Sequence, residues 1–478
     1  MNYKMIRYTL GWILLFEAVF LLFPTMFALF VREQVLSAFL FSVAACLAAG
    51  TLLVLRRPEN TTLYAREGFL IVALSWILLS LFGALPFFVS RTIPSFLDAL
   101  FETVSGFTTT GASILAEVES LPRSILLWRS FTHWVGGMGV LVLLMAFLPL
   151  SGGQNMHIMK AESPGPSVSK LVPRVRTTAL ILYSLYLALT LLQFIFLLFG
   201  GIGAFDALNI AFATAGTGGF GIRNDSMASF SPYIQNITTV FMLIFSINFS
   251  SYYLLLHRRV KEFFGTETRV FLAIILTAGL FVSFSIRGQF ADFATALRHG
   301  FFTVASLSSS TGFACTDFAL FPGGARFLLV LLLFIGACAG STGGGIKVSR
   351  VIIAIKAAFR ELSLALHPKQ KKLLSLDGRT LESDVVRSCC CYFLLFIAVF
   401  VPSVFVLSFD SGDFLTNFTA VATTLNNCGP GLGAVGPTGN FGFFSPLSKL
   451  ILIFDMLAGR LELLPMLLLF TPATFRKQ

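Results

Sequence analysis

Charged side chains are scarce in this chain, and their scarcity excludes a soluble protein. Asp, Glu, Lys and Arg make up 12% of the 478 residues, whereas hydrophobic residues make up 56%. Soluble domains carry about 25% charged residues. Apolar runs of about 20 residues, the length that crosses a bilayer, recur from one end of the sequence to the other. The composition therefore predicts a multi-pass membrane protein.

Several patterns of cofactor-binding proteins are also missing. The five histidines form no zinc pattern, and the seven cysteines lack the spacing of a disulfide framework, so we interpret the cysteines as small buried residues. Two glycine-rich stretches could be mistaken for nucleotide-binding loops. The segment at 217–221 lies in no βαβ unit, and AGSTGGGIKVS at 339–349 has Ile346 and Val348 where a P-loop needs other residues. We expect no organic cofactor on this chain, no nucleic acid partner and no enzymatic activity.

What the sequence does contain is one motif repeated four times. With Gly111, Gly219, Gly312 and Gly429 aligned, the segments read ETVSGFTTTGA, IAFATAGTGGF, TVASLSSSTGF and AVATTLNNCGP. Each places a short helix-forming run before a glycine-centred loop, and each lies between two long apolar segments. Such a repeat indicates the architecture of the whole chain. It is typical of a cation pore, because loops at membrane depth are tolerated only where protein or a water-filled cavity satisfies their backbone groups.

The fold class that follows is an all-α polytopic membrane protein. Four helix–pore-loop–helix repeats would surround one pseudo-fourfold pore, preceded by two extra transmembrane helices at about 8–31 and 35–55. The outer helices are predicted at 67–90, 176–200, 269–287 and 386–408. The half-helices with their pore loops are predicted at 95–113, 204–221, 292–316 and 412–433. The inner helices are predicted at 124–149, 232–257, 323–362 and 446–472. The chain divides into a two-helix segment at 1–60 and pore repeats at 61–160, 161–262, 263–375 and 376–478.

Basic residues favour one orientation of these segments. When both termini are placed in the cytoplasm, Lys and Arg gather on the cytoplasmic side, as the positive-inside rule requires. The net charge of +11 then faces the cytoplasm and anionic membrane lipids rather than nucleic acid. Acidic residues gather on the outer side, where they would raise the local concentration of cations. We expect an acidic outer mouth formed by Glu117, Glu119, Asp225 and Asp317.

The half-helices and loops suit a cation. A half-helix that points its carboxyl end toward the pore presents partial negative charge there. Loop carbonyls can replace the hydration shell of an ion, and glycine permits the backbone angles that this needs. At the opposite ends of the half-helices, N-caps are expected at Asp98, Asp206 and Asp413.

Two features of the inner helices predict a gate. The third is interrupted at 336–345, named here the intramembrane loop, where three successive glycines cannot form a stable helix interior. We expect this loop to lie under the pore loops, with Lys347 at its cytoplasmic end, and shortening it to raise flux. A simple helix kink, or a helix end near the membrane surface, is the alternative. In the fourth, the charge of Arg460 marks a functional site, either an electrostatic barrier or gate latch in the pore or one half of a structural ion pair.

With these motifs, the sequence closely resembles a known family, the TrkH subunits of bacterial Trk potassium uptake systems. The resemblance covers essentially the whole chain. It rests on the four pore loops and on the motifs HWVGGMG at 133–139, KAE at 160–162, AGSTGGGIK at 339–347, LNNCGPGLG at 425–433 and AGRLE at 458–462. It implies a homodimer with one pore per subunit in the bacterial cytoplasmic membrane. It also implies a cytosolic nucleotide-binding regulatory subunit of the TrkA type.

The resemblance implies roles for individual residues. The potassium-binding filter would comprise Thr109, Thr110, Gly111, Thr217, Gly218, Gly219, Ser310, Thr311, Gly312, Asn427, Cys428 and Gly429. The gate would comprise Gly336, Gly340, Gly343, Gly344, Gly345, Lys347 and Arg460. Glycine at all four key positions accompanies potassium selectivity in the wider superfamily, whereas serine in the first loop accompanies sodium preference. Cys428 departs from the bulkier apolar residue expected there.

The sequence therefore predicts potassium transport across the cytoplasmic membrane, with K⁺ as the transported ion. A sodium-selective or Na⁺/H⁺-coupled transporter of the same fold is the alternative. A membrane-embedded transferase is a distant alternative, since the acidic residues are dispersed at the outer mouth rather than clustered with histidines at one leaflet. A channel and a coupled transporter are not distinguished by these residues.

Overall fold

Most of the described chain is helical, which confirms the predicted fold class. The computed structural model describes residues 1–60, 63–139, 175–370, 373–410 and 413–475. Within those ranges the strands are Ser375–Leu376 and Arg379–Thr380, which form one small antiparallel hairpin. The KAE motif and the predicted end of the first inner helix at 140–149 lie outside the described residues.

Four groups of helices follow the predicted order. The two leading helices are Tyr3–Val31 and Leu36–Val54. The outer helices are Ala65–Gly83 with its continuation Leu85–Val89, Val175–Phe199, Thr266–Ile286 and Ser383–Leu407. The half-helices are Phe96–Phe107, Ala204–Ala215, Phe293–Ser308 and Phe414–Leu425. The inner helices are Arg123–Gly137, Pro232–Ser246, Gly323–Phe334 and Pro446–Arg460.

Further elements complete the described chain. The α-helices are Phe249–Leu256, Val260–Phe263, Val348–Leu366 and Leu464–Leu469. The 3₁₀ turns are Arg287–Gln289, Phe318–Leu320, Gly433–Val435 and Pro472–Thr474.

The long helices are suited to a bilayer. In the described ranges, six helices are long and apolar enough to span it, and a seventh candidate is the bent pair Pro232–Ser246 and Phe249–Leu256. Large apolar side chains such as Phe30, Phe199 and Phe409 are exposed on the outside of the bundle, as lipid contact requires. The interpretation of the cysteines as buried residues is confirmed for five of them but is wrong for Cys390 and Cys391, which are exposed.

The inner helices are shorter than predicted, and this corrects the sequence analysis. Only the third was expected to break, yet the second bends by 93° after Ser246, where Asn248 caps a new helix by accepting a hydrogen bond from the amide of Ser250. The fourth ends at Arg460, and Glu462 and Leu463 then adopt positive φ angles. The first ends at Gly137, with φ of +84° at Gly139. At 12 to 15 residues, each inner helix is shorter than the roughly 20 residues that span a bilayer.

The N-caps of the half-helices differ in part from the prediction. Asp413 caps the fourth half-helix, as expected, by accepting a hydrogen bond from the amide of Thr416 at 3.0 Å. Hydrogen bonds from Thr416 lower the pKa of Asp413, so the cap stays ionised at neutral pH. Asp98 is not a cap, because Ser95 fills that position. Asp206 is not a cap either, since Gly203 precedes the second half-helix. Asp292 caps the third.

Candidate cation pathway

The four key glycines meet around one axis. Gly111, Gly219, Gly312 and Gly429 line a single cavity, named here the vestibule, together with the segments that follow each loop. Each glycine lies against the carbonyl that precedes the glycine of the next loop, so closely that a Cβ atom would collide with it. The contacts close a ring: Gly111 on Gly218, Gly219 on Thr311, Gly312 on Cys428, and Gly429 on Thr110. We call these glycines and carbonyls the glycine ring.

The four pore loops share one backbone conformation. The glycines have φ angles between +73° and +82°, and the residues two positions earlier, Thr109, Thr217, Ser310 and Asn427, have φ angles between +52° and +60°. These left-handed angles are costly for residues other than glycine and persist only where the surroundings impose them. The same strained conformation at four separate places in the chain indicates a shared functional requirement.

Hydrogen bonds explain how the loops are held. In each loop the residue before the glycine donates its amide to a carbonyl five residues earlier in the half-helix: Thr110 to Ser105, Gly218 to Ala213, Thr311 to Ser306, and Cys428 to Thr423. Within the described ranges, no hydrogen bond is donated to the carbonyls of Thr110, Gly218, Thr311 or Cys428. These oxygens are therefore available as ligands for a cation.

Side chains behind the ring hold neighbouring loops together. The amide nitrogen Nδ2 of Asn427 donates both to Thr110 Oγ1 and to the carbonyl of Met456, each at 2.9 Å, so it joins the fourth loop to the first and to the last inner helix. The thiol of Cys428 lies 3.4 Å from the carbonyl of Leu307 in the third half-helix. The small cysteine side chain thus packs behind the ring.

A buried ion pair braces the first two loops, and sequence reasoning missed it. The carboxylate of Glu102 is buried and lies 2.7 Å from the guanidinium of Arg129. Glu102 also accepts hydrogen bonds from Ser113 and the amide of Ile114, just after the first loop. Arg129 donates to the carbonyl of Gly221, just after the second. The rule that charges inside apolar segments mark functional sites, applied to Arg460, would have identified both residues.

His133 forms a second brace between the same loops. Its Nδ1 lies 2.7 Å from the carbonyl of Gly106, and its Nε2 accepts the amide of Phe220 at 3.2 Å. These two bonds require the proton on Nδ1, so the imidazole is the neutral tautomer. The ring therefore fixes the end of the first half-helix relative to the second pore loop.

The ion pair between Glu102 and Arg129 makes a testable contribution to stability. Replacing Arg129 by methionine would leave the Glu102 carboxylate buried without its partner, which costs about 3–5 kcal/mol. We expect a clear fall in the thermal midpoint of the purified protein in detergent. The matched control is Arg387→Met, which removes an exposed ion pair with Asp384, and we expect no measurable change. Equal midpoints for the two variants would contradict the structural importance of the brace.

The intramembrane loop lies directly beneath the glycine ring. The helix before it ends at Phe334 and the next begins at Val348, so the predicted interruption is present. Gly336 donates to the carbonyl of Ile346 at 2.9 Å and closes the base of the loop. Gly344 donates to Ser310 Oγ at 2.6 Å and lies so close to the carbonyl of Asn426 that no side chain would fit.

Gly340 and Gly343 complete the contacts of this loop. The carbonyl of Gly340 accepts the amide of Phe249, which follows the bend in the second inner helix. Gly343 lies beside the carbonyl of Ser309, at the start of the third pore loop. The loop is therefore fixed between the second inner helix and the two pore loops above it.

Two cationic side chains hold the intramembrane loop in place. Lys347 is buried, and its ammonium donates to the carbonyls of Gly343 and Gly344. Arg460 donates to the carbonyl of Thr342 at 2.9 Å and to those of Gly136 and Gly137 at 2.6 Å. Arg460 thus links the loop to the end of the first inner helix. The bonds that Arg460 donates here go to backbone carbonyls, whereas the carboxylate of Glu462 pairs with Arg350.

The predicted acidic residues lie around the vestibule rather than in it. Glu119 and Asp225 line a neighbouring outer depression, and Glu119 accepts a hydrogen bond from the amide of Asn224. Asp317 caps a 3₁₀ turn by accepting the amide of Ala319, and Glu117 is exposed. Within the described chain, no acidic residue lines the vestibule. Backbone carbonyls, not carboxylates, are thus the negative groups nearest the glycine ring.

Comparisons with known proteins agree with this fold. The TrkH family model, described as cation transport protein, matches residues 35–477. The Trk system potassium uptake protein TrkH of Salmonella typhimurium is 37% identical over the full length of both chains, and its namesake from Halomonas elongata is 35% identical, again over both full lengths. The crystal structure of the potassium transporter TrkH from Vibrio parahaemolyticus superposes with a TM-score of 0.89 over all of both chains, at 33% identity.

Proposed function

Because the chain belongs to the TrkH family of cation transport proteins, we propose that it carries potassium ions across the bacterial cytoplasmic membrane. The observation that supports this most strongly is the glycine ring, in which four backbone carbonyls surround one axis and bond to no donor in the described chain. Rings of carbonyls replace the hydration shell of K⁺ in selective pores. In this proposal, K⁺ is the transported ion and no covalent chemistry takes place.

The residues of the four loops have one role each in this proposal. The carbonyls of Thr110, Gly218, Thr311 and Cys428, with those of the residues before them, bind the ion. The four glycines allow the loops to approach one another. The half-helices end immediately before the loops, so their partial negative ends favour a cation at the ring. Glu117, Glu119, Asp225 and Asp317 act at longer range by raising the cation concentration near the vestibule.

The intramembrane loop is the gate in this proposal. Its backbone lies against Asn426 and Ser309 on the inner side of the glycine ring, and Lys347 and Arg460 hold it there. An ion that leaves the ring must pass the place where Gly343 and Gly344 lie. Movement of the loop away from the pore loops opens the path.

Assembly and orientation follow the family. We propose a homodimer, with one pore in each subunit, and a cytosolic nucleotide-binding subunit of the TrkA type that controls the gate. Both termini lie in the cytoplasm, where the basic residues meet that subunit or anionic lipid. The segments at 61–160, 161–262, 263–375 and 376–478 act as the four pore repeats, and 1–60 as an added pair of helices.

The direct test is downhill flux from proteoliposomes under matched K⁺, Rb⁺ and Na⁺ gradients, without added coupling ions. We expect K⁺ and Rb⁺ flux well above Na⁺ flux, because rings of backbone carbonyls replace the hydration shell of K⁺ in selective pores. Equal or Na⁺-dominated flux would contradict the potassium assignment. Flux that requires an imposed proton or Na⁺ gradient would instead indicate a coupled transporter.

A further inference from the structure

One carboxylate, outside the residues assigned to the filter and the gate, accepts hydrogen bonds from both sides of the intramembrane loop. Glu267, in the first turn of the third outer helix, accepts the amide of Ala339 at 2.8 Å and the amide of Ser349 at 3.0 Å through the same oxygen. Ala339 lies within the intramembrane loop, and Ser349 lies just after it. One side chain therefore fixes the distance between the two sides of the loop.

Glu267 also completes the start of a helix. The N-cap of helix Val348–Leu366 is Lys347, whose side chain makes no capping bond, and the first amides of this helix lack partners within it. The carboxylate of Glu267 supplies the missing acceptor from another part of the chain. Negative charge at this end of a helix is favourable, so the contact stabilises both partners.

The third outer helix, which carries Glu267, is likewise capped by a side chain from a distant part of the chain. Its N-cap is Gly265, which has no side chain, and Asp377 accepts both the amide of Thr266 at 2.7 Å and the hydroxyl of Thr266 at 2.6 Å. Asp377 and Gly378 form the two-residue turn of the small hairpin, with φ angles of +49° and +75°. Aspartate followed by glycine is the usual pair for such a turn.

The hairpin is in turn attached to the helix beyond the loop. Lys356 donates to the carbonyl of Ser375 at 2.8 Å, and Leu374 packs in a buried cluster with Ile353 and Ala357 of that helix. The hairpin thus contacts both structures that hold the intramembrane loop, the third outer helix and helix Val348–Leu366. Two carboxylates in series, Asp377 and Glu267, join the exposed turn to the loop.

From these contacts we propose that Asp377 and Glu267 are positioning residues that couple the hairpin at 375–380 to the intramembrane loop. Displacing the hairpin removes the cap of Thr266, shifts the first turn of the outer helix and withdraws Glu267 from Ala339 and Ser349. A ligand that binds on the cytoplasmic face and displaces the hairpin therefore changes the position of the intramembrane loop. This inference rests on the proposed gating role of the loop.

Cys338 offers a built-in reporter for the test, because it lies in the loop and is fully buried. We would measure its labelling by a small thiol reagent, by mass spectrometry of the full-length protein, for Glu267→Ala and Asp377→Gly. Glycine removes the Asp377 carboxylate and tolerates the positive φ of the turn. Both variants should label Cys338 at least about fivefold faster, the factor that the loss of one ordinary hydrogen bond implies. Potassium flux from proteoliposomes should rise with them.

Three comparisons separate coupling from general damage. Glu267→Gln and Asp377→Asn keep an acceptor oxygen and should restore most of the wild-type labelling rate. Asp384→Asn, on the same face but in an exposed pair with Arg387, should change nothing. The double variant Glu267→Ala with Asp377→Gly should label no faster than Glu267→Ala alone, because residues in one chain of contacts are not additive.

Each outcome decides the proposal. Wild-type labelling in Asp377→Gly, with faster labelling in Glu267→Ala, would show that the hairpin is not coupled to the loop, and additive effects would overturn it as well. If Glu267→Ala does not fold, the exposed site Asp377 still decides. If no variant carries potassium, even one that lacks Gly343–Gly345, the proposed function fails, whereas the labelling rates still test the coupling.

Discussion

Replacing Gly219 by alanine should abolish the preference for K⁺ over Na⁺ and reduce K⁺ flux. The new Cβ atom would collide with the carbonyl of Thr311 in the next loop, and backbone cannot give way as a flexible side chain can. Gly219 also has φ of +73°, which costs an L-residue about 1–2 kcal/mol. If one ring carbonyl moves, the site loses an ion–dipole contact of about 1.5–3 kcal/mol, or roughly ten- to hundredfold in ion binding.

The chain contains a matched control for the strain alone. Gly201 has φ of +79°, but a Cβ atom there would meet nothing within 4 Å. Gly201→Ala therefore imposes the same backbone cost without touching the glycine ring, and it should conduct with wild-type selectivity. Both variants would be compared in proteoliposomes under matched K⁺ and Na⁺ gradients. Unchanged selectivity in Gly219→Ala would rule out the ring as the filter.

Much of the pathway could be predicted from the sequence because its pattern is repeated. A single copy of SGFTTTGA would say little, but four copies in register gave the half-helices and the ring glycines to within a few residues. The interruption after Phe334 was predictable too, since Gly343, Gly344 and Gly345 cannot continue a helix. In these places local preference and architecture agree.

Other features depend on contacts between distant segments, which one sequence does not reveal. The bend at Asn248 and the end of the last inner helix at Arg460 interrupt apolar runs that read as continuous helices. Arg460 can end its helix there because carbonyls of Thr342, Gly136 and Gly137 surround its guanidinium. The Asp377–Gly378 turn did carry a local signal, although its role follows only from the position of Thr266.

Deleting Gly343, Gly344 and Gly345 should raise K⁺ flux at least about tenfold. The shortened loop cannot reach Ser310 and the carbonyl of Asn426, and Lys347 loses the two carbonyls that bind its ammonium. A hydrogen bond to a charged group contributes about 1.5–3 kcal/mol, and about 1.4 kcal/mol corresponds to a tenfold change in an equilibrium constant. Loss of these contacts therefore shifts the loop strongly toward positions that leave the path beneath the ring open.

The ratio of K⁺ to Na⁺ flux distinguishes this effect from damage to the ring. If the loop only closes the path, the deletion raises the rate for K⁺ and leaves the ratio as in the wild type, the reverse of the result expected for Gly219→Ala. Arg460→Gln should have the same effect to a smaller degree, because it removes the bond to Thr342 but leaves Lys347 in place. Unchanged flux in both variants would mean that the loop lies beside the path rather than across it. Raised flux with a lost ratio would mean that the loop supports the ring from below, since Gly344 and Ser310 are in direct contact.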